Sequence, residues 1–306
     1  MAAIAPASKA ISGTAFATLL LIALMMGANH VAARIAFNNG VDVATAVVFR
    51  SVITALVIAL ILTLQRVRVP VRFGPRHKRM LPLIGLLIGV QSLCLYSAVA
   101  RLPVALALLA FNTYPIWTAL WAWLLYRQIP ERALLIAMPV ILVGLALALD
   151  VFGAASGLGA SGQWARIGAG VGFALAAAGT FGLALVITQH EAADVDGRVR
   201  TATTMTMAGL VALGMVGVQG GFHLPQAAAG WWGLAALTFL YGTAFTIMFT
   251  VLPKLGVVGN SAIMNVEPVF ALVLAWLILG QVIAPVQVAG ALVVVGAVMG
   301  MGLRRR

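Results

Sequence analysis

Glu267 stands in the middle of an apolar run, "NSAIMNVEPVFALVLAW" (Asn260–Trp276). A carboxylate in such surroundings is expensive to ionise, so it binds a cation, exchanges a proton, or lies neutral or paired with an arginine. The run has a counterpart, "ALLAFNTYPIWTALWAW" (Ala107–Trp123). Asn112 and Asn265, Pro115 and Pro268, Trp123 and Trp276, and Gln128 and Gln281 are each 153 residues apart. At that offset the counterpart of Glu267 is Tyr114. An acid and a phenol at equivalent places would make an asymmetric site, suited to an amphiphilic zwitterion. Pro115 and Pro268 cannot donate to the carbonyls of Phe111 and Met264, so each is expected to bend its helix and act as a hinge. Each Asn lies three residues before its Pro, roughly on the face of the weakened turn. Its amide either lines a polar cavity or bonds the freed carbonyl or a neighbouring helix.

Other chemistry-bearing residues are fewer. Arg50 falls about seven residues inside an apolar run, roughly 10 Å along a helix. It is expected to snorkel or pair between helices, or else to pair with Glu267 or draw in a substrate carboxylate. His30, beside Asn29 and one turn before Arg34, either titrates between pH 5 and 8 as a proton sensor or is a solvated polar group near a helix end. Tyr96, Tyr114, Trp117, Tyr241 and Phe245 can form stacking walls, with Met248 adapting around several ligands; the same residues serve equally as packing. Gln91 reads as an amide between helices. No catalytic constellation stands out: His30, His77, His190 and His223 are dispersed, and no nucleotide-binding glycine loop is present. The expectation is no enzyme, no metal and no cofactor. The single cysteine, Cys94, reads as packing.

The elements that must position these groups follow from composition. In 306 residues, 63% are hydrophobic and 8% charged, and mean hydropathy is +1.09, too little polar material for a water-facing surface. A lipid-crossing helix needs about 20 apolar residues for roughly 30 Å of hydrocarbon. Ten such spans are expected, at 12–33, 43–64, 80–100, 103–126, 131–150, 166–189, 201–220, 230–252, 256–279 and 283–303. The first is long for a signal peptide and ends in no convincing cleavage site, so it is kept as a span. Trp121, Trp123, Trp231, Trp232 and Trp276 fall near span ends, as interfacial belts do.

The net charge of +12 gathers on one side: Arg66, Arg68, Arg72, Arg76, Lys78 and Arg79 fill one loop, and Arg127, Arg132, Arg198, Arg200, Lys254 and Arg304–Arg306 follow in alternate loops and the tail. Only Arg34, Arg101 and Arg166 fall opposite. By the positive-inside rule both termini are cytoplasmic, and the partners of this charge are lipid headgroups rather than nucleic acid. Ten spans and a half-length repeat give five per half, an odd number, so the halves enter the membrane from opposite faces. The expected class is all-α: residues 1–151 and 166–306 as inverted five-helix repeats, joined by a flexible Gly-rich linker at 152–165 containing "FGAASGLGASG". Binding is expected near the midplane between halves. "GAGVGFALAAAGTFG" (Gly168–Gly182) and "GALVVVGAVMGMG" (Gly290–Gly302) allow close helix approach.

Ten spans with "MMGANHVAARIA" (Met25–Ala36), the arginine of "VVFRSVITAL" (Val47–Leu56), and Pro-centred fourth and ninth spans followed by "WLLYRQIPERALLIAMPVILVGLAL" and "WLILGQVIAPVQVAGALVVVGAVMG" resemble the drug/metabolite transporter superfamily, specifically its EamA-domain exporters. Such exporters commonly carry a Glu after the fourth and ninth spans. Glu131 stands there in the first half and Ala284 in the second, which weakens any role for a paired acid. The resemblance implies export of amino acids or related metabolites, with YddG-type aromatic amino acid exporters the preferred subgroup, in a bacterial-type cytoplasmic (inner) membrane. Both halves of a pathway fit within one chain, so a monomer is expected. The alternatives are a multidrug or toxic-metabolite exporter of the same superfamily and, more remotely, a lipid scramblase or an intramembrane enzyme.

Overall fold

The computed structural model describes residues 13–66, 74–130, 132–250 and 266–304. Asn265, Glu131, Lys254 and residues 256–265 of the ninth expected span lie outside the described residues. All regular structure among the described residues is helical: α1 (Gly13–Asn38), α2 (Val43–Leu64), α3 (Pro75–Arg101), α4 (Val104–Phe111), α5 (Tyr114–Tyr126), α6 (Arg132–Ala148), α7 (Gly159–Glu191), α8 (Gly197–Val218), α9 (Ala228–Thr250), α10 (Glu267–Leu279) and α11 (Pro285–Arg304). Among the described residues, seven stretches are long and apolar enough to cross a membrane, with α4 and α5 together as one of them. Three shorter apolar stretches accompany them, Leu135–Ala148, Glu267–Leu279 and Pro285–Gly300.

Helix starts are written in the local sequence. Asp42 caps α2 by accepting from the Thr45 amide at 2.8 Å, and Asp196 caps α8 by accepting from the Arg198 amide at 2.8 Å. Both helices have 22 residues and end on a glutamine cap, Gln65 and Gln219. Prolines open α3, α5, α10 and α11, where a missing N–H costs nothing.

Packing places α3 against α7 and α8, α1 against α9 and α10, α2 against α8 and α9, α5 on α7, and α6 against α11. The closest crossings run through small residues. A Cβ on Gly290 would lie 2.5 Å from the Ala148 amide and 2.6 Å from the Gly144 carbonyl, so α6 and α11 touch backbone to backbone. Gly233 brings α9 equally near Ala32 and Ala36 of α1, and Gly182 brings α7 onto Thr118 of α5. In contrast, Gly172, Gly296 and Gly300 face open space, so only part of each small-residue run makes contacts. Val104–Ala110 of α4 is buried all round at the centre of the largest apolar cluster, as expected of a helix apolar on every face. Large side chains on outward faces, such as Leu56, Leu60, Trp232 and Trp276, are exposed, consistent with contact to lipid.

The connection after α6 is more ordered than its glycines suggest. Helix α7 begins at Gly159, inside the stretch expected to be a linker to residue 165. Asp150 accepts from the Ala155 and Ser156 amides, and buried Gln163 donates from Nε2 to the Leu149 carbonyl at 2.9 Å. The glycines serve this geometry: Gly153, Gly157 and Gly159 adopt positive φ.

Two expected outcomes follow. Gly290→Val should destabilise the protein by about 1–3 kcal/mol through overpacking, while Gly296→Val stays within about 0.5 kcal/mol of wild type. Thermal melts in detergent read the difference, and equal midpoints for the two variants would contradict the α6–α11 crossing. Asp42 tests a cap. Burial alone would raise its pKa, but hydrogen bonds from Thr45 and His223 outweigh it and hold the carboxyl below its usual range. A depressed carboxylate contributes stability above its unfolded pKa of about 3.9 and loses it as pH falls through the folded value. Asp42→Ala should therefore cost about 0.5–2 kcal/mol at neutral pH, with the deficit shrinking below about pH 3.9.

Candidate functional site

The site begins where two helices start in mid-run. After Phe111, Asn112 (φ −65°, ψ 0°) and Thr113 (φ −72°, ψ −5°) tighten the chain. The Thr113 amide bonds the Ala110 carbonyl and the Ile116 amide bonds the Thr113 carbonyl, both three-residue spacings. Pro115 then falls in the first turn of α5 and Pro268 in that of α10. Pro115 thus opens a new helix after α4 rather than bending a continuous one, which corrects the hinge expectation there in its geometry, and Pro268 stands in the first turn of α10: a proline in the first turn displaces no hydrogen bond. Helices α5 and α10 have 13 residues each and begin at the 153-residue offset. They end in left-handed residues, Arg127 and Gly280, again at that offset. The Gln128 amide then bonds the Ala122 carbonyl and the Gln281 amide the Ala275 carbonyl, each at 3.2 Å.

Glu267 is the first residue of α10, where a carboxylate is favoured by the helix dipole. A Cβ on Gly27 would lie 3.1 Å from the Glu267 carbonyl and 3.0 Å from the Ala271 amide, so α1 and α10 nearly touch. That approach delivers His30, one turn further on, to Glu267: Nε2 and Oε1 are 3.3 Å apart. His30 is only 2% exposed, so it is not a solvated group at a helix end. Its ring meets the Tyr96 ring edge to face at 5.6 Å, and the Tyr96 hydroxyl donates to Asn29 Oδ1 at 2.9 Å. His30 Nδ1 and Asn29 Nδ2 are buried with no hydrogen-bond partner.

Tyr96 joins this pair to Arg50. The guanidinium lies 4.5 Å from the Tyr96 ring centre and 3.9 Å from that of Tyr241, and Nη2 donates to the Ser92 hydroxyl. Arg50 is 3% exposed, which overturns the snorkelling expectation. Its face of α2, with Val47, Ser51 and Thr54, turns into the bundle, and a side chain so directed cannot reach the interface. Nor does it pair with Glu267, which faces His30; among the described residues no carboxylate lies within ion-pairing distance of Arg50. A desolvated cation–π contact contributes about 2 kcal/mol, and insertion of a central arginine costs about 2.5–3.5 kcal/mol. Two tyrosine faces therefore suffice to hold the cation without an acid. Arg50 Nε and the hydroxyls of Ser51 and Thr54 are buried without partners.

The expected residues thus divide. His30, Glu267, Tyr96, Arg50, Tyr241 and Phe245 form one connected group, with the Phe245 ring 4.4 Å from that of Tyr241. Tyr114 packs against Phe111 at 5.7 Å and Phe181 at 5.2 Å. Trp117 lies on Gly179 of α7, where Trp121 donates to the Gly179 carbonyl at 3.0 Å, and both rings line an apolar hollow of about 340 Å³. Met248 packs against an apolar cluster containing Ile22 and Met25. Asn112 is buried with its Nδ2 unpartnered, and Gln91, also buried, accepts from the Ser92 hydroxyl at 3.4 Å. Ser51, Thr54 and Ser92 escaped the sequence reading. The available signal was the four-residue spacing that puts Thr54 on the face of Arg50.

One end of the bundle carries a polar cluster. Arg76 of α3 reaches Glu191 and the His190 carbonyl of α7, and the Tyr126 hydroxyl of α5 donates to Glu191 at 2.7 Å. His190 stacks on Tyr126 at 3.8 Å, and His77 pairs with Asp194 at 3.1 Å. At the other end Arg34 donates to the Val99 and Leu102 carbonyls. No group of three or more potential metal ligands occurs among the described residues.

The model of the EamA-like transporter family matches this chain twice, over residues 13–149 and 168–303. No curated protein matches. A solved structure described as "Crystal structure of protein" is similar in fold, with a TM-score of 0.61 at 18% identity over 96% of this chain and 99% of that one. Two matches that span both halves make the chain a multi-pass membrane protein of the EamA-like transporter family.

Proposed function

We propose that the chain is a ten-span exporter of amino acids, aromatic ones preferred, made of two inverted repeats (residues 1–151 and 166–306) with both termini cytoplasmic, and working as a monomer by alternating access in a bacterial-type inner membrane. Two features of the fold support the repeat. Helix starts recur at one offset, with Pro75, Tyr114 and Arg132 in the first half matching Ala228, Glu267 and Pro285 in the second, each 153 residues on. The packing scheme also maps onto itself when the halves are exchanged: α1 with α9 becomes α7 with α3, α3 with α8 becomes α9 with α2, and α1 with α10 becomes α7 with α5.

The observation that carries the transport reading is the His30–Glu267 contact. It joins an imidazole and a carboxylate across the line where α1 of one half meets α10 of the other. The helix break at Asn112–Thr113 and the start of α10 at Glu267 support this reading, because transporters built from inverted repeats hold their ligands at such helix ends. In this reading Glu267 receives a substrate ammonium or the coupling proton, Tyr96, Tyr241 and Phe245 form an aromatic wall, and Asn112 with Asn265 lends amide dipoles beside the breaks. The short helices α5 and α10 pivot at their starts as one side closes and the other opens.

Flux into proteoliposomes tests this. Saturable uptake of phenylalanine and tryptophan above threonine and methionine, relative to protein-free liposomes, is expected. Flux of none of the four would end the amino acid reading and leave drugs or toxic metabolites as cargo. Glu267→Gln should abolish dependence on an imposed pH gradient while sparing substrate counterflow; gradient dependence equal to wild type would remove Glu267 from coupling.

A further inference from the structure

We propose that Arg50 is the anchor for a carboxylate group of the transported molecule, in a pocket formed by Arg50, Ser51 and Thr54 of α2 between the faces of Tyr96 and Tyr241. The proposal deepens the amino acid reading and rests on it for the rest of the ligand. Three observations point to an anion. The guanidinium is buried, yet faces no acid among the described residues. Its Nε carries a donor with no acceptor, and the buried hydroxyls of Ser51 and Thr54 on the same helix are also without partners. Thr54 stands one turn from Arg50 on the same helix face, against Gly242, the residue after Tyr241. These groups supply one charged and two neutral donors, the complement of an anion's acceptor oxygens.

The surroundings exclude the alternatives. Tyr96 and Tyr241 hold the guanidinium by their faces, Tyr96 also shares a hydrogen bond with it, and Ser92 accepts from Nη2. Nε is the donor left without an acceptor, and a carboxylate oxygen is the acceptor it fits. Access comes from the position of the pocket. Arg50 and Tyr96 belong to α2 and α3, and Tyr241 belongs to α9, so the guanidinium lies between helices of the two halves. Rocking one half on the other would part the tyrosine faces and open Arg50 to the central space. The Tyr96 ring touches both Arg50 and His30, so a carboxylate at Arg50 would lie one ring's breadth from the His30–Glu267 pair. An α-amino acid could then engage both charges at once.

The test uses full-length protein in detergent and two probes of one shape, phenylacetate and its neutral amide. Thermal stabilisation by phenylacetate but not by phenylacetamide is expected, with loss of the phenylacetate shift in Arg50→Gln. Thr54→Val should weaken apparent phenylacetate affinity by about threefold, and Arg50→Lys, which keeps the charge but lacks the fork, by about tenfold. If Arg50→Gln does not fold, these two variants decide. A phenylacetate shift undiminished in the variants, or one matched by the amide in wild type, overturns the proposal. Transport separates it from the reading beneath it. Absence of phenylalanine flux with the phenylacetate shift intact defeats the amino acid assignment alone. Phenylalanine flux whose preference over phenylalaninamide is unchanged in Arg50→Lys and Thr54→Val defeats the Arg50 assignment alone.

Discussion

A carboxylate can sit inside this bundle because a histidine on another helix is near enough to share its charge or its proton. Much of the central geometry serves that contact. Gly27 has to be a glycine for α1 to approach the first turn of α10, since any Cβ would press on the Glu267 carbonyl and the Ala271 amide. The approach fixes His30 opposite Glu267, and His30 in turn is held by the Tyr96 edge. In a medium without water a misplaced polar group finds no substitute partner, so each close helix crossing constrains the chemistry as well as the packing.

The same constraint explains the broken helices. A helix that starts in mid-membrane presents free amides, and a proline in its first turn removes one of them. At Asn112–Thr113 the remaining groups are drawn into three-residue bonds, and the Thr113 hydroxyl also donates to the Ala110 carbonyl. What stays unsatisfied is the Asn112 amide, together with Asn29, His30, Arg50, Ser51 and Thr54. The unpartnered buried polar atoms among the described residues, Arg34 Nε included, all belong to α1, α2 and the α4–α5 break. At one end, by contrast, α3 and α7 are tied by charged contacts such as Arg76–Glu191.

Length and charge made the helices legible: most expected spans differ from the described helices by a few residues, and the fourth contains the break that its proline announces. Direction was much less legible. Helix α2 is apolar nearly all round, so its sequence carries no periodicity to say whether Arg50 points to lipid or inward, and depth along the axis suggested the wrong answer. Tyr114 shows a different limit. A common offset identifies equivalent places and says nothing of neighbours, so the Phe181 ring of α7 against Tyr114 was not legible in it. The glycines at 152–165 read as a flexible linker because composition cannot reveal Asp150 and Gln163 organising the turn.

The scaffold repeats, but its charges do not. Helices α2 and α8 match in length, N-cap and C-cap, yet the place of Arg50 is taken in α8 by Thr204, also buried. Helices α5 and α10 match in start and end, yet Tyr114 stands where the other has Glu267. One half therefore brings the buried cation and His30, and the other brings the partly exposed acid. The two short helices share their backbone marks, Pro115 with Pro268 and Arg127 with Gly280, each pair at one offset. A ligand with unlike ends needs unequal side chains, and the halves diverge at the positions nearest the Tyr96 ring, which touches both His30 and Arg50.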